Sequence, residues 1–310
     1  MDINQLKQGA RSYACAHYLS RCEELYRQQI YTALEHERLT RKYGDIHSLF
    51  HGDGMLNWNQ TFYLLFMRTL GDKTNQEVFM EVARRVSLSA LMRERSSVMR
   101  VEAMLIGAAG FVDCYPNRDY IEPLKKESKY MMRKYDIDPL TYAHWDLGRV
   151  RPINHPVLRL SQVATLICTH EFIFADMVLC TTRSDIDTLF TSKATRHFVD
   201  THPNLTTDEN NEIKIGSQKR NLLGINIAVP MIYAYGYYTH DDGLCAQAQE
   251  LNESLSAEMN TFIKEWSKRG VYPRTAFESQ ALIQLTTCYC QRSLCEECPV
   301  GCMILKGVIG

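Results

Sequence analysis

Apolar side chains recur at helical intervals along most of the chain. Behind Asn57-Trp58-Asn59 and ahead of Gly71, the residues Phe62, Leu65, Phe66 and Leu70 fall at i, i+3, i+4 and i+8. That spacing predicts a helix with a marked start and stop. Further helices are predicted over 9–43, ending near Gly44, and over 75–92 on Val78, Phe79, Val82 and Val86. Another carries Val101, Met104, Leu105 and Ala108, with Gly107 and Gly110 permitting close backbone approach. Residues 121–135 alternate Leu124, Met131 and Tyr135 with five lysines and arginines. A long apolar helix is expected over 157–180, then shorter ones at about 219–238, 243–255, 258–268 and 275–289.

Two segments break the pattern. Gly148 to Pro156 reads as a loop, because prolines at 152 and 156 cannot both lie inside a helix. Residues 200–217 are polar, with Pro203, Asn210-Asn211 and Gly216, and read as an extended loop or a small β-hairpin. The expected class is therefore all-α: a bundle of helices over 1–287, with that hairpin and a cysteine-rich metal loop over 288–310. The 136–156 connection is the expected division into two lobes.

Composition agrees with this class. Of 310 residues, 45% are hydrophobic and 23% charged, and no proline precedes Pro116. Such a chain is long enough to bury a core and too apolar to be disordered. A net charge of −1 argues against a polycation that coats nucleic acid or membrane. The start shows neither a basic region nor an apolar run behind it, and Val157 to Leu179 is interrupted by Arg159, Gln162, His170, Glu171 and Asp176. A cytoplasmic protein without a membrane span is expected, with reduced thiols.

The cysteines change the picture most. Five of the eleven, Cys288, Cys290, Cys295, Cys298 and Cys302, lie in the last 23 residues. In a reducing compartment a terminal cluster points to metal ligands before disulfides. Cys295-x2-Cys298 lets both thiolates turn towards one centre across a tight bend. Four thiolates close a zinc tetrahedron or hold an iron–sulfur cluster, and the spacing leaves both open. The expected ligands are Cys290, Cys295 and Cys298, with Cys302 as the fourth and Cys288 in reserve. A site with four protein ligands has no open position, so its expected role is structural.

Several stretches in order resemble one family of bacterial proteins, domain of unknown function 2851. They are Asn57-Trp58-Asn59-Gln60-Thr61-Phe62-Tyr63, Val101 to Gly110, Arg149-Val150-Arg151-Pro152-Ile153-Asn154-His155-Pro156, Ile225 to Pro230 with Tyr233 to Gly236, and Ser279 to Leu285 leading into Cys290-x4-Cys295-x2-Cys298. The resemblance runs from about residue 30 to residue 301. It implies the helical part of the family and the three cysteines. A β-rich region with a carboxylate pattern similar to restriction-endonuclease-type nucleases is implied ahead of it, and this chain begins near where that region should end. The resemblance names no activity.

Other candidate chemistry is sparser. Basic residues concentrate at Arg84, Arg85, Arg93, Arg95 and Arg100, and again from Lys125 to Arg159. Around the proline-stiffened loop, Arg149, Arg151, His155 and Arg159 are candidates for gripping phosphate, since guanidinium forks match phosphate oxygens. Solvated faces and internal ion pairs explain the same charges. His170-Glu171 is a weak acid/base candidate, and Asp241 is expected as a helix N-cap. No phosphate loop, dinucleotide fingerprint or nucleophile elbow is present.

The sequence thus predicts a non-catalytic helical binding or interaction module with a cysteine metal site, with nucleic acid as the foremost partner class. The alternatives are an iron–sulfur enzyme of redox or nuclease type, and a subunit of a larger complex whose other chain supplies the amino-terminal region. Substrate, metal and oligomeric state are left open.

Overall fold

The computed structural model describes residues 3–10, 13–52, 57–115, 119–148, 150–200 and 212–308. The chain is nearly all helical, and among the described residues β-pairing is confined to isolated bridges at Lys193–Lys214 and Ser256–Thr275. Two compact units form. One comprises Met1–Ser48, Thr181–Arg183 and Ala228–Gly310; the other comprises Leu49–Cys180 and Ser184–Ile227. The 136–156 connection lies inside the second unit, and residues 288–310 belong to the first.

The first unit is built around Trp266, which is fully buried together with Ile30, Leu34, Ala281, Leu282 and Leu285. The ring of Tyr13 stands edge-on to the indole at 4.7 Å. Helix Val229–Thr239 turns sharply into helix Asp242–Ser254 through His240, a left-handed residue, and the Asp241 side chain caps the second helix by accepting from the Leu244 N–H. Gly236 makes this close turn possible, because a Cβ there would meet the Asp241 carbonyl oxygen at 2.9 Å.

The second unit centres on helix Val98–Ala108, which is buried on every side from Val101 to Ala108. Gly107 packs against Ser128 of helix Ile121–Lys134, where a Cβ would lie 2.1 Å from the hydroxyl. Gly110, at φ +78°, lets the Leu140 carbonyl approach. Phe62, Phe66 and Phe190 stack in series. Each such ring taken fully out of water contributes about 2–3 kcal/mol.

Several boundaries differ from the sequence pattern. The helix expected over 9–43 is three: Ile3–Gly9, Ala16–Arg21 and Glu24–Gly52. The last passes through Gly44 instead of ending there. A mid-helix glycine costs only about 1 kcal/mol, and burial of Leu39, Ile46 and Phe50 outweighs it. The stretch 75–92 divides at Val86-Ser87, where Ser87 caps the second helix by accepting from the Ala90 N–H. The expected 157–180 helix stops at Thr169 and resumes at Ile173, because the polar His170-Glu171 pair is used to leave the core. Before Pro230 the helix from Ser217 widens into a π turn over Gly224–Ala228, which accommodates a residue that has no N–H to give. The hairpin expected near 200–217 falls mainly on 201–211, outside the described residues; of its ends, Lys214 forms a lone bridge and Ser217 begins a helix.

Candidate cysteine centre

Helix Ala276–Gln284 begins with a capping box, in which Thr275 and Glu278 satisfy each other's backbone N–H groups. It then widens into a π turn over Leu285–Tyr289 and delivers Cys290, which is buried. The chain reverses through Ser293, in left-handed conformation, and the loop that follows carries Cys295 and Cys298. Pro299 opens a last helix, Pro299–Leu305, at a position where its missing N–H costs nothing. Gly301 seats this helix on the loop: a Cβ there would lie 2.0 Å from the Cys295 carbonyl oxygen.

Cys290, Cys295 and Cys298 line one small cavity of about 20 Å³, slightly more than a single water occupies. Its other walls are Leu6, Ala10, Cys15, Tyr289 and Gly301. Cys302 is not among them: its thiol donates to the Glu296 carbonyl at 3.0 Å. Cys288 is half-buried, with its sulfur 3.8 Å from the Thr287 hydroxyl. Three of the four expected ligands thus line one cavity, and Cys302 does not. Among the described residues, no group of three or more His, Cys, Asp or Glu is arranged to hold a metal ion.

The environment favours the protonated thiol at Cys15, Cys295 and Cys298. Burial pushes Cys298 up to about 12, although the N–H groups of Gly301 and Val300 donate to its sulfur and oppose the shift. Cys295 is raised by burial and then by Cys15. Cys15 stands well above its ordinary value, first through a hydrogen bond with Cys290 and then through burial. Thiols held protonated in this way are poor nucleophiles.

Cys15 is the residue the sequence did not single out. It sits alone in a helical stretch, with no spacing to mark it.

The residues proposed for phosphate do not converge. Arg149 lies outside the described residues. Arg151 is exposed and borders a cavity of about 190 Å³ with Asp72, Thr74, Asn75 and Asn154. His155 caps helix Pro156–Thr169 by accepting from the Val157 N–H at 3.3 Å. Arg159 is only 4% exposed, and its guanidinium is held by Gln162 at 2.9 Å and Asn154 at 2.6 Å. It serves the core, because its side chain leaves a buried face of the helix. Four arginines of the earlier run are ion-paired as well: Arg84 with Glu81, Arg85 with Glu81 and Asp138, Arg95 with Glu171, Arg100 with Glu94 and Glu127. His170 pairs with Asp176 at 3.1 Å while Glu171 pairs with Arg95, so the two do not act as one acid/base unit.

A cavity of about 630 Å³ lies in the second unit, lined by Leu64, Leu88, Met92, Phe172 and Ile173. Two of its polar side chains are occupied structurally: Asn57 caps helix Trp58–Leu70, and Gln60 bonds the Ala83 carbonyl and the Leu88 N–H. No helix among the described residues is long and apolar enough to cross a membrane.

The family described as "protein of unknown function (DUF2851)" matches residues 1–261, and the chain belongs to it. The match begins at the first residue and stops short of the cysteine tail. No curated protein and no solved structure matches the chain.

Proposed function

We propose that this member of the DUF2851 family is a helical binding module, without catalysis of its own, whose tail cysteines hold a structural metal centre. The observation that carries this reading is the common cavity of Cys290, Cys295 and Cys298, whose other walls are almost wholly apolar. Thiols on one apolar cavity, two of them buried, have little to offer each other as hydrogen-bond partners, and a metal would replace their protons with strong bonds. Zinc and an iron–sulfur cluster both satisfy such a donor set.

The centre fastens the tail to the helical core of the first unit, since Cys290, Cys298, Val300 and Ile304 are part of the same apolar cluster as Trp266. Iron, zinc and acid-labile sulfide in anaerobically purified protein test the reading. Stoichiometric metal, with a lowered melting temperature after chelation, is expected. Protein that takes up neither metal overturns it.

Nucleic acid is the partner class in this reading, and a specific surface favours it. Lys126, Lys129, Tyr130 and Arg133 are exposed on one face of helix Ile121–Lys134. Cations at i, i+3 and i+7 beside an exposed ring suit a phosphate backbone with an adjacent base. Titration against single- and double-stranded DNA at two salt concentrations checks this: affinity should fall with salt, and no binding at low salt removes nucleic acid from the reading.

A further inference from the structure

A cavity of about 410 Å³ lies in the first unit, and none of the tail cysteines lines it. Small-molecule sites span about 300–1,000 Å³, so one small organic ligand fits. Helix Glu24–Gly52 contributes Glu24, Arg27 and Tyr31, the last two one turn apart. Arg274 and Glu278 come from the start of helix Ala276–Gln284, and Leu19, Val271 and Tyr272 supply the apolar wall.

Three polar groups on this cavity lack the partners that such groups ordinarily find. Tyr31 is 2% exposed, yet among the described residues nothing hydrogen-bonds its hydroxyl. Buried hydroxyls are ordinarily satisfied. Burial raises its ionisation, so the group remains an O–H. Arg274 makes no side-chain hydrogen bond or salt bridge among the described residues, not even with Glu278 four positions on. Glu278 spends Oε2 on the N–H groups of Arg274 and Thr275, which leaves Oε1 without a partner among the described residues. The remaining polar side chains are committed: Arg27 pairs with Glu24, Gln28 donates to the same carboxylate, and Ser20 donates to the His17 carbonyl.

The uncommitted set is therefore one guanidinium, one hydroxyl and one carboxylate oxygen. A simple anion would meet the charges of Glu24 and Glu278, and a simple cation those of Arg27 and Arg274. A ligand that carries both charges a few bonds apart avoids both conflicts. Its carboxylate suits the planar guanidinium fork, and its ammonium group suits the free carboxylate oxygen.

We propose that this cavity binds a free α-amino acid with an apolar side chain. Arg274 and Tyr31 hold its carboxylate, Glu278 holds its ammonium group, and Leu19, Val271 and Tyr272 flank its side chain. The site is independent of the metal centre and of the basic helix face.

The test is a fluorine NMR titration of the full chain with para-fluorophenylalanine and two analogues that each lack one charge, para-fluorophenylpropanoate and para-fluorophenethylamine. The amino acid should bind with a Kd of about 1 mM or tighter, and each analogue at least about tenfold more weakly. Arg274→Gln and Glu278→Gln should each weaken the amino acid several-fold, and Tyr31→Phe by a smaller factor. Glu278→Gln keeps an oxygen for the capping box, so the helix start is preserved. The analogue comparison is made on wild type and does not depend on how any variant folds.

No binding of the amino acid at about 10 mM overturns the site. Either analogue bound as tightly as the amino acid overturns the two-charge ligand. Affinity unchanged in both Gln variants places the ligand elsewhere and overturns the residue assignment.

Discussion

Glu35 accepts a 2.6 Å hydrogen bond from Asn252 Nδ2 across the interior of the first unit, where both residues are almost completely buried. The same carboxylate oxygen faces Arg38 Nη1 at 3.2 Å, and Glu35 Oε2 has no hydrogen-bond partner among the described residues. Burial outweighs both partners and raises this carboxyl from 4.5 to about 7.

A pH dependence with a definite sign follows. Below pH 4.5 the folded and unfolded chains both hold the proton, and Glu35 has no effect on the slope. Between 4.5 and 7 the folded chain keeps the proton that the unfolded chain releases, so stability falls as pH rises. The full difference is about 3 kcal/mol. Glu35→Gln should therefore gain on wild type as pH is raised through this window, in denaturant titrations at pH 4.5, 6 and 8. A difference that stays constant with pH contradicts the assignment.

Trp266 Nε1 donates to Thr286 Oγ1 at 2.8 Å, and Thr286 donates on to the Leu282 carbonyl at 2.8 Å. Thr286→Val keeps the shape and removes the acceptor, leaving a buried indole N–H unsatisfied. A loss of about 1–3 kcal/mol is expected, and Thr286→Ser should recover most of it. Equal stability of the two variants would show that the hydrogen bond contributes little.

Gly301→Ala places a methyl group 2.0 Å from the Cys295 carbonyl oxygen, a backbone atom that cannot swing away. The tail loop should open, at a cost of about 1–3 kcal/mol. Alkylation of Cys295 and Cys298 in the metal-free protein should accelerate at least several-fold, while labelling of Cys114, in the other unit, stays unchanged. Unaltered rates at Cys295 and Cys298 would mean that this close approach does not hold the loop.

In the second unit Glu102 is fully buried and accepts from Tyr120 Oη, from Ser161 Oγ at 2.5 Å and from Thr195 Oγ1 at 2.9 Å. Glu102→Leu deprives three hydroxyls of their acceptor and should destabilise the protein by at least about 2 kcal/mol. Glu102→Gln keeps an acceptor oxygen and should lose less. Thermal melts of the two variants settle the order, and a Leu variant as stable as wild type would show that burial of the carboxyl costs as much as its hydrogen bonds return.

Much of the helical architecture was legible because its signals are local. The stripe from Phe62 to Leu70, the Asn57 cap and the Asp241 cap each depend on residues within a few positions, and the structure has them where the spacing predicts. Gly44 and His170 show where such signals stop. A glycine reads as a helix end, yet tertiary burial of Leu39, Ile46 and Phe50 carries the helix past it. An apolar run reads as continuous, yet a polar pair inside it faces out and divides it. Arg159 shows the same limit: beside a basic loop it reads as a phosphate candidate, and the helix turns it inward onto Gln162 and Asn154.

The sequence by itself determined an all-α chain and a tail dense in thiols, because periodicity, capping and cysteine spacing are written in neighbouring residues. Only the tertiary structure decided which thiols share a cavity, that Glu35 meets Asn252, and that Arg159 is spent on Gln162 and Asn154. Those pairings come from distant segments burying their apolar faces together. Nothing in the local pattern around Cys15 records that packing will set it beside Cys290.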